Sequence, residues 1–454
     1  MATVRPFQGI LYDPHRVDLA RVVAPPYDVI TPGDQQRYYQ QDPHNVVRLI
    51  AGEVRPSDSP EDNKYTRAAG FFNAWLGQGI LQREPTPCLY VYRHQFVDPI
   101  SATTRTRLGI LGVVELEPFG GGVLPHERTH ARAKADRLSL TRAVEANLSP
   151  VFALYEDPRS AMRPIIDTAM SDAPRLSITG EDGDEHTVWS LCADHRFQEL
   201  TEVVSASRLY IADGHHRYET ALNFRNRQRL EHPDASPNAA FNYVLMLLVD
   251  VRDPGLTILP THRVLHDLEG FDPATLLSGL TKRHRVVKRA DPAALLAAMQ
   301  EPTAGHRIGM ALSPSPPRGG SRNHVPPPPA EEGQGGGLFT IDIDRTVSPD
   351  PVSGLDVSVL HREILQRELG LEESILEQER YVSYSRDVQV IFERLAAGSA
   401  QAAFLLRPPA VSDVIAVALA GQVMPQKSTY FYPKPASGIV FNPLGADIRI
   451  QALK

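Results

Sequence analysis

The stretch Ser207 to Tyr218, SRLYIADGHHRY, limits what this chain can fold into more than any other. Ser207 to Ala212 carries the β-branched and aromatic residues of a strand. Asp213-Gly214 reads as a turn, and from His216 onward the run RYETALNFRNRQ reads as a helix. A strand that turns through glycine into a helix leaves the first helical N–H groups unpaired. The helix dipole adds positive potential at the same end, so the turn is built to hold an anion such as phosphate. Gly214 lets a ligand approach the backbone closely. His215, His216 and Arg217 add donors, and an arginine grips phosphate in a bidentate way. Asp213 is suited to hold Mg²⁺ or to position a hydroxyl. The plainer account makes Asp213 a helix N-cap. A cap alone does not call for two histidines and an arginine behind it. A zinc site at His215 and His216 is disfavoured, because adjacent side chains diverge and no third ligand follows at a useful spacing.

The remainder is a globular chain. Its 454 residues are 42% hydrophobic and 22% charged, enough for a sizeable core in two or three domains. The formal net charge of −7 gives a nucleic-acid partner no support, and none is expected. The two cysteines, Cys88 and Cys192, stand alone in apolar stretches. They read as separate buried thiols and fit a reducing compartment. The N-terminal residues lack the charged and apolar regions of a secretory signal. The longest apolar runs, Tyr243 to Val249 and Val414 to Ala420, are too short to span a bilayer. A cytoplasmic protein without a membrane partner is expected.

Further strands are expected at 88 to 96, 108 to 116, 187 to 192, 242 to 251 and 402 to 407. Helices are expected over Asp62 to Leu76, Arg217 to Leu230 and Leu355 to Leu369. This mixture points to an α+β or mixed α/β protein. Ser313 to Gly337 is mostly Pro, Gly and small polar residues and is expected to be a disordered insertion. The alternating segments on either side of it read as the two strands of one hairpin. Three regions are expected: 1 to 105, 106 to 265 with the HE and DGHHR motifs, and 266 to 454 with the insertion.

His126-Glu127-Arg128-Thr129-His130 fits the pattern HExxH. On a helix, histidines four apart share a face and ligate zinc while the glutamate acts as general base. Against zinc hydrolysis, GGGVLP directly precedes the motif, and the residues after it are polar on every face. Glu145 sits at a plausible third-ligand spacing without further support. Glu127 also has a second use. A primary hydroxyl is a poor nucleophile at neutral pH, and a carboxylate can take its proton as the bond to phosphorus forms. A surface glutamate at a helix start is the structural alternative.

Lys134 and Arg137 lie three apart and can share a helix face that binds carboxylate or phosphate. His262 and Arg263 follow a strand end, where α/β enzymes place site residues. In PQKSTYFYPK, 425 to 434, Lys427, Ser428 and Thr429 offer phosphate-binding groups, and the aromatics after them offer stacking surfaces. Pro25-Pro26-Tyr27-Asp28 fixes an extended turn.

These motifs carry a resemblance. LYIADGHHRY looks like the phosphate-binding box of the ParB and sulfiredoxin-like superfamily, in particular its free serine kinases. Leu124-Pro125-His126-Glu127, followed by the stretch 134 to 155, keeps the family's order of glutamate, helix, strand and box. The spacing departs from the smaller kinases, with Glu156 to Ala206 inserted before the box. Along nearly the whole chain, the sequence is also similar to the prokaryotic family catalogued as domain of unknown function 1015. The matching stretches are VVAPPYDVI (22 to 30), LPHERTHARAKADRLSL (124 to 140), IADGHHRYETAL (211 to 222), DPGLTILPTHR (253 to 263) and MPQKSTYFYPKPASGIV (424 to 440). The resemblance implies a ParB/sulfiredoxin-like nucleotide-binding core. It implies a kinase that uses ATP or ADP with Mg²⁺ to convert free L-serine to O-phosphoserine. Glu127 and Asp213 would be catalytic, and Gly214, His215, His216 and Arg217 would hold the phosphates. The substrate-binding candidates are Lys134, Arg137, His262, Arg263, Lys427, Ser428 and Thr429. A nucleotide-binding switch without phosphotransfer is the alternative from the DNA-segregation relatives. No helix-turn-helix is evident here to favour it.

Overall fold

The computed structural model describes residues 2–129, 131–192, 197–314, 336–344, 350–372, 375–376 and 380–451. The chain divides into two compact units, Met1–Thr257 with Phe431–Lys454, and Ile258–Tyr430.

The first unit is built on a nine-stranded sheet. Its strands are β1 (Val4–Arg5), β2 (Cys88–Val97), β3 (Thr104–Glu115), β4 (Val123–Leu124), β5 (Val151–Tyr155), β6 (Leu176–Thr179), β7 (Glu185–Cys192), β8 (Leu209–Asp213) and β9 (Tyr243–Asp250). The lateral order is β4-β8-β5-β9-β3-β2-β7-β6, with β1 paired to β3. Two pairings are parallel, β4 with β8 and β5 with β9. The sheet is therefore mixed, and strands and helices alternate along the chain as the sequence predicts. The central strands read as unbroken apolar runs because both faces are covered. Val151, Ala153, Leu209, Ile211, Val244 and Met246 share one core with Tyr218 and Ala221. On the opposite alternation, Phe152 packs edge-on against Phe431 from the C-terminal segment, ring centroids 5.8 Å apart.

Two helices position the site. α1 covers Ala131–Val144, and α2 covers His215–Glu231. The helix expected at Asp62 to Leu76 runs Lys64–Gly77, started by an Asn63/Thr66 capping box.

The cysteines depart from expectation. β2 and β7 are antiparallel in a register that sets Cys88 opposite Cys192, and the two are joined as a disulfide. Cys192 is exposed rather than buried. Their separation of 104 residues hid a pairing that only the sheet register creates.

The second unit is an antiparallel six-stranded sheet, ordered Arg285–Arg289, Gly337–Ile343, His306–Leu312, Ala402–Leu405, His262–Leu265, Val382–Ser385. The expected hairpin is present, paired from His306 with Ile343 to Leu312 with Gly337. Most of the insertion between those strands lies outside the described residues. The helix expected from Leu355 is α-helical only over Asp356–Val359 and winds as a π-helix over Leu360–Gln366. No helix among the described residues is long and apolar enough to cross a membrane.

Candidate functional site

β4 and β8 are parallel neighbours, so the chain leaves both at the same edge of the sheet. From β4 it passes to His126-Glu127, and from β8 to Asp213-Gly214. This is the strand-end edge at which open α/β sheets hold ligands. Gly214 has φ +94° and stands as the N-cap of α2 without any side-chain cap. Asp213 is the last residue of β8 and not the cap. Its carboxylate is therefore left for other partners, and among the described residues no side chain caps the start of α2.

Those partners are cations. Lys434 Nζ lies 2.7 Å from Asp213 Oδ1 and also pairs with Asp28. Arg217, one helical turn on, pairs with Asp213 Oδ2 and donates to the Pro150 carbonyl. Burial pushes the Asp213 carboxyl up, but Lys434 and then Arg217 outweigh it and hold it at about 2. Burial pulls the Lys434 ammonium down, and the Asp213 and Asp28 carboxylates more than reverse this. The result is a tightly neutralised group of two carboxylates and two cations at a helix start.

His126 is buried beside it. Its Nδ1 is 2.8 Å from the Ile211 carbonyl, which fixes that nitrogen as the donor. Its amide donates to His215 Nε2 at 3.3 Å, and the two rings meet edge to face at 4.7 Å. Burial lowers both histidines, His126 to about 4 and His215 well below its ordinary value, so both are neutral donors and acceptors at pH 7. Their role is to tie the HE segment to the DGHHR turn.

The HExxH expectation is corrected here. Residues 126 to 129 are bends and coil, and α1 begins only at Ala131. His126 therefore does not sit on a helix, and its ring meets Ile211 and His215. His130 lies outside the described residues. The proline at 125 and the preceding glycines kept this segment out of the helix. Glu127 is half-buried in that loop. The loop is bound to α2 through Glu219, which accepts from Thr129 Oγ1 and pairs with Lys134 Nζ at 2.7 Å.

Lys134 and Arg137 do not act as one basic face. Lys134 turns to Glu219, while Arg137 bonds Asp136 and the Ile50 carbonyl and stacks over the Tyr27 ring at 3.9 Å. Burial raises the Asp136 carboxyl, but Arg137 and Lys64 overcome this and hold it at about 2. Arg137, Tyr27 and Arg217 line a 50 Å³ cavity together with Thr220, whose buried hydroxyl has no hydrogen-bond partner among the described residues.

Asp136 and Lys434 are not candidates from the sequence, and Asp28 figures there only as part of an extended turn. Lys434 lies inside the stretch 425 to 434, but Lys427 drew the attention. The usable signal was Pro433-Lys434-Pro435, which stiffens the backbone around one long cation. His262, Arg263, Lys427, Ser428 and Thr429 belong to the second unit. There His262 Nδ1 accepts from the Leu406 amide at 3.1 Å. Arg263 donates to the carbonyls of Thr261, Gln426 and Lys427, so its guanidinium holds a loop in place.

No curated protein matches the sequence. Among solved structures, similarity extends to a free serine kinase mutant in complex with AMP, at 12% identity and a TM-score of 0.33, over 68% of this chain and 83% of that one. It extends also to SbnI with C-terminal truncation from Staphylococcus aureus, at 10% identity and 0.31, over 71% and 84%. A conserved hypothetical protein from Pyrococcus furiosus is similar at 12% identity and 0.31, over 69% and 89%. The family model described as protein of unknown function (DUF1015) matches residues 4–357, and the chain belongs to that family.

Proposed function

We propose that the protein is a nucleotide-dependent kinase that moves a phosphoryl group from ATP or ADP to the hydroxyl of a small metabolite, with free L-serine giving O-phosphoserine. One observation carries this reading: parallel β4 and β8 deliver Glu127 and the Asp213-Gly214 turn to the same edge of the sheet. The motif resemblance supports a ParB/sulfiredoxin-like core and supplies serine as the acceptor. A nucleotide co-substrate fits a cytoplasmic setting.

In this reading the uncapped start of α2 receives the phosphates, with Gly214 allowing close approach and His215, His216 and Arg217 donating. Arg217 exchanges Asp213 for phosphate, and Lys434 keeps Asp213 ionised meanwhile. Asp213 and Asp28 are oxygen donors of the kind Mg²⁺ takes, and they already converge on one cationic atom, Lys434 Nζ. The residues thus fit a magnesium ion carried in with the nucleotide, whose contribution would be to neutralise phosphate charge. Glu127 takes the acceptor's proton as its oxygen bonds to phosphorus and the phosphorus–bridging-oxygen bond breaks. Arg137 is assigned the acceptor carboxylate because it lines the same cavity as Arg217.

The test is a phosphotransfer assay with Mg²⁺, ATP or ADP and a panel of hydroxyl amino acids, run alongside Glu127→Gln. Phosphoserine from the wild type, reduced at least about 100-fold in the variant, is expected. Nucleotide binding without transfer to any acceptor would replace the kinase reading with a nucleotide-binding switch.

A further inference from the structure

The second unit contains a cavity of 280 Å³ that the proposed kinase chemistry does not use. It is just smaller than the ~300 Å³ at which pockets for drug-sized ligands begin, so its occupant is a small metabolite and not a nucleotide. Its wall carries one guanidinium, two carboxylates and two hydroxyls, of which the Ser428 hydroxyl donates to the Pro425 carbonyl and the Asp356 carboxylate is engaged by Arg407 and His306. Arg407 contributes a guanidinium, held in place by its bond to Asp356 Oδ2 at 3.0 Å. Asp356 is itself fixed by His306 Nδ1 at 2.8 Å. Asp413 contributes a carboxylate whose Oδ2 accepts from the Ala410 amide at 2.9 Å. Thr261 contributes a hydroxyl, is only 7% exposed, and has no side-chain partner among the described residues. Leu355 and Met424 supply an apolar surface between them.

These features carry an inference together. A hydroxyl on the cavity wall that makes no side-chain hydrogen bond is available to a molecule held there. A guanidinium that keeps an unused amino group beside a carboxylate that keeps an unused oxygen matches a molecule bearing both charges. The apolar surface then suits a short aliphatic part.

We propose that this cavity binds a small zwitterion, a free α-amino acid, with its carboxylate on Arg407 and Thr261 and its ammonium on Asp413. The site is separate from the Asp213 turn, and its existence does not depend on the kinase reading.

The experiment is saturation-transfer NMR on the full chain with glycine, L-serine and L-leucine, using propionate and n-butylamine as single-charge controls. Asp213→Asn serves as the background in which the first unit's site is disabled. At least one amino acid is expected to bind the Asp213→Asn protein, while neither control binds. Arg407→Gln should weaken that binding at least tenfold. Arg407 also pairs with Asp356, so its loss can perturb folding, and Thr261→Val supplies a milder variant that keeps the side-chain volume. It should weaken binding about tenfold at unchanged melting temperature. Absence of binding in the Asp213→Asn background would overturn the proposal. So would binding unaffected by Thr261→Val in a folded protein, or controls that bind as well as the amino acids.

Discussion

Lys434 Nζ sits 2.7 Å from Asp213 Oδ1, joining two residues 221 positions apart at the start of one helix. Only 9% of the Lys434 side chain and 17% of the Asp213 side chain are exposed. Removing one member of such a pair leaves a buried charge uncompensated, which costs about 3 kcal/mol or more. Lys434→Met should therefore lower unfolding free energy by roughly 3 kcal/mol in urea titrations at pH 7. The Asp213 carboxyl should titrate higher in the variant, because the largest influence opposing its burial is then gone. An unchanged denaturation midpoint would show that the pair contributes nothing net.

Gly214 has φ +94°, a region where a side chain is strained. A Cβ there would also come within 2.9 Å of the Arg217 guanidinium. Gly214→Ala should cost about 1–2 kcal/mol of stability from the backbone alone. Arg217 must swing away, so binding of ADP, measured calorimetrically, should fall by a larger factor than the stability loss explains. Equal ADP affinity in a folded Gly214→Ala protein would remove the turn from the phosphate site.

The strand-turn-helix at 209–231 was legible because its signals are local: β-branched and aromatic residues, then glycine, then helix formers. The same holds for β2, β3, β7 and β9, whose apolar runs survive because both sheet faces are covered. What was not legible depends on register and long-range closure. Lys434 reaches Asp213 only because the C-terminal segment returns to the first unit. Cys88 faces Cys192 only through the β2–β7 register. The HExxH pattern was weakened by a local signal as well, since the glycines and proline of GGGVLP stand directly before it and residues 126 to 129 are not helical. Arg263 was a plausible ligand by sequence, yet its donors meet carbonyls of its own unit.

Acid should destabilise the protein through neutral buried histidines. His126 is lowered by burial to about 4, and His186 to about 3 by burial and then His94. A depressed base contributes full stability above its unfolded value, near 6.5, and loses it as pH falls toward the folded value. Each such histidine should cost about 1.4 kcal/mol per pH unit between roughly 6.5 and 4. The carboxylates Asp213 and Asp136, held at about 2, add their loss only below the ordinary carboxylate range. Replacing His126 with Asn keeps a donor toward the Ile211 carbonyl and removes one titration. Urea midpoints at pH 7, 6 and 5 should then fall less steeply than in the wild type. Parallel slopes would mean that His126 does not titrate in this window.

The Cys88–Cys192 bond closes a loop across 104 residues between directly facing strands. On the chain-entropy account, a loop of that length restrains the unfolded chain by about 4–5 kcal/mol. The strands are already held by paired residues from Glu185 to Cys192, so the native state should survive loss of the bond. Reduction, or a Cys88→Ser/Cys192→Ser double variant, should lower the unfolding free energy by about 3–4 kcal/mol without changing the folded circular dichroism spectrum. The exposed Cys192 should let reductant reach the sulfurs without global unfolding. Thiol alkylation of rapidly quenched cell extracts then reads the physiological state. Alkylated cysteines would place the working protein in a reducing compartment, with its stability nearer that of the double variant. Protected cysteines would make the bond part of the working fold.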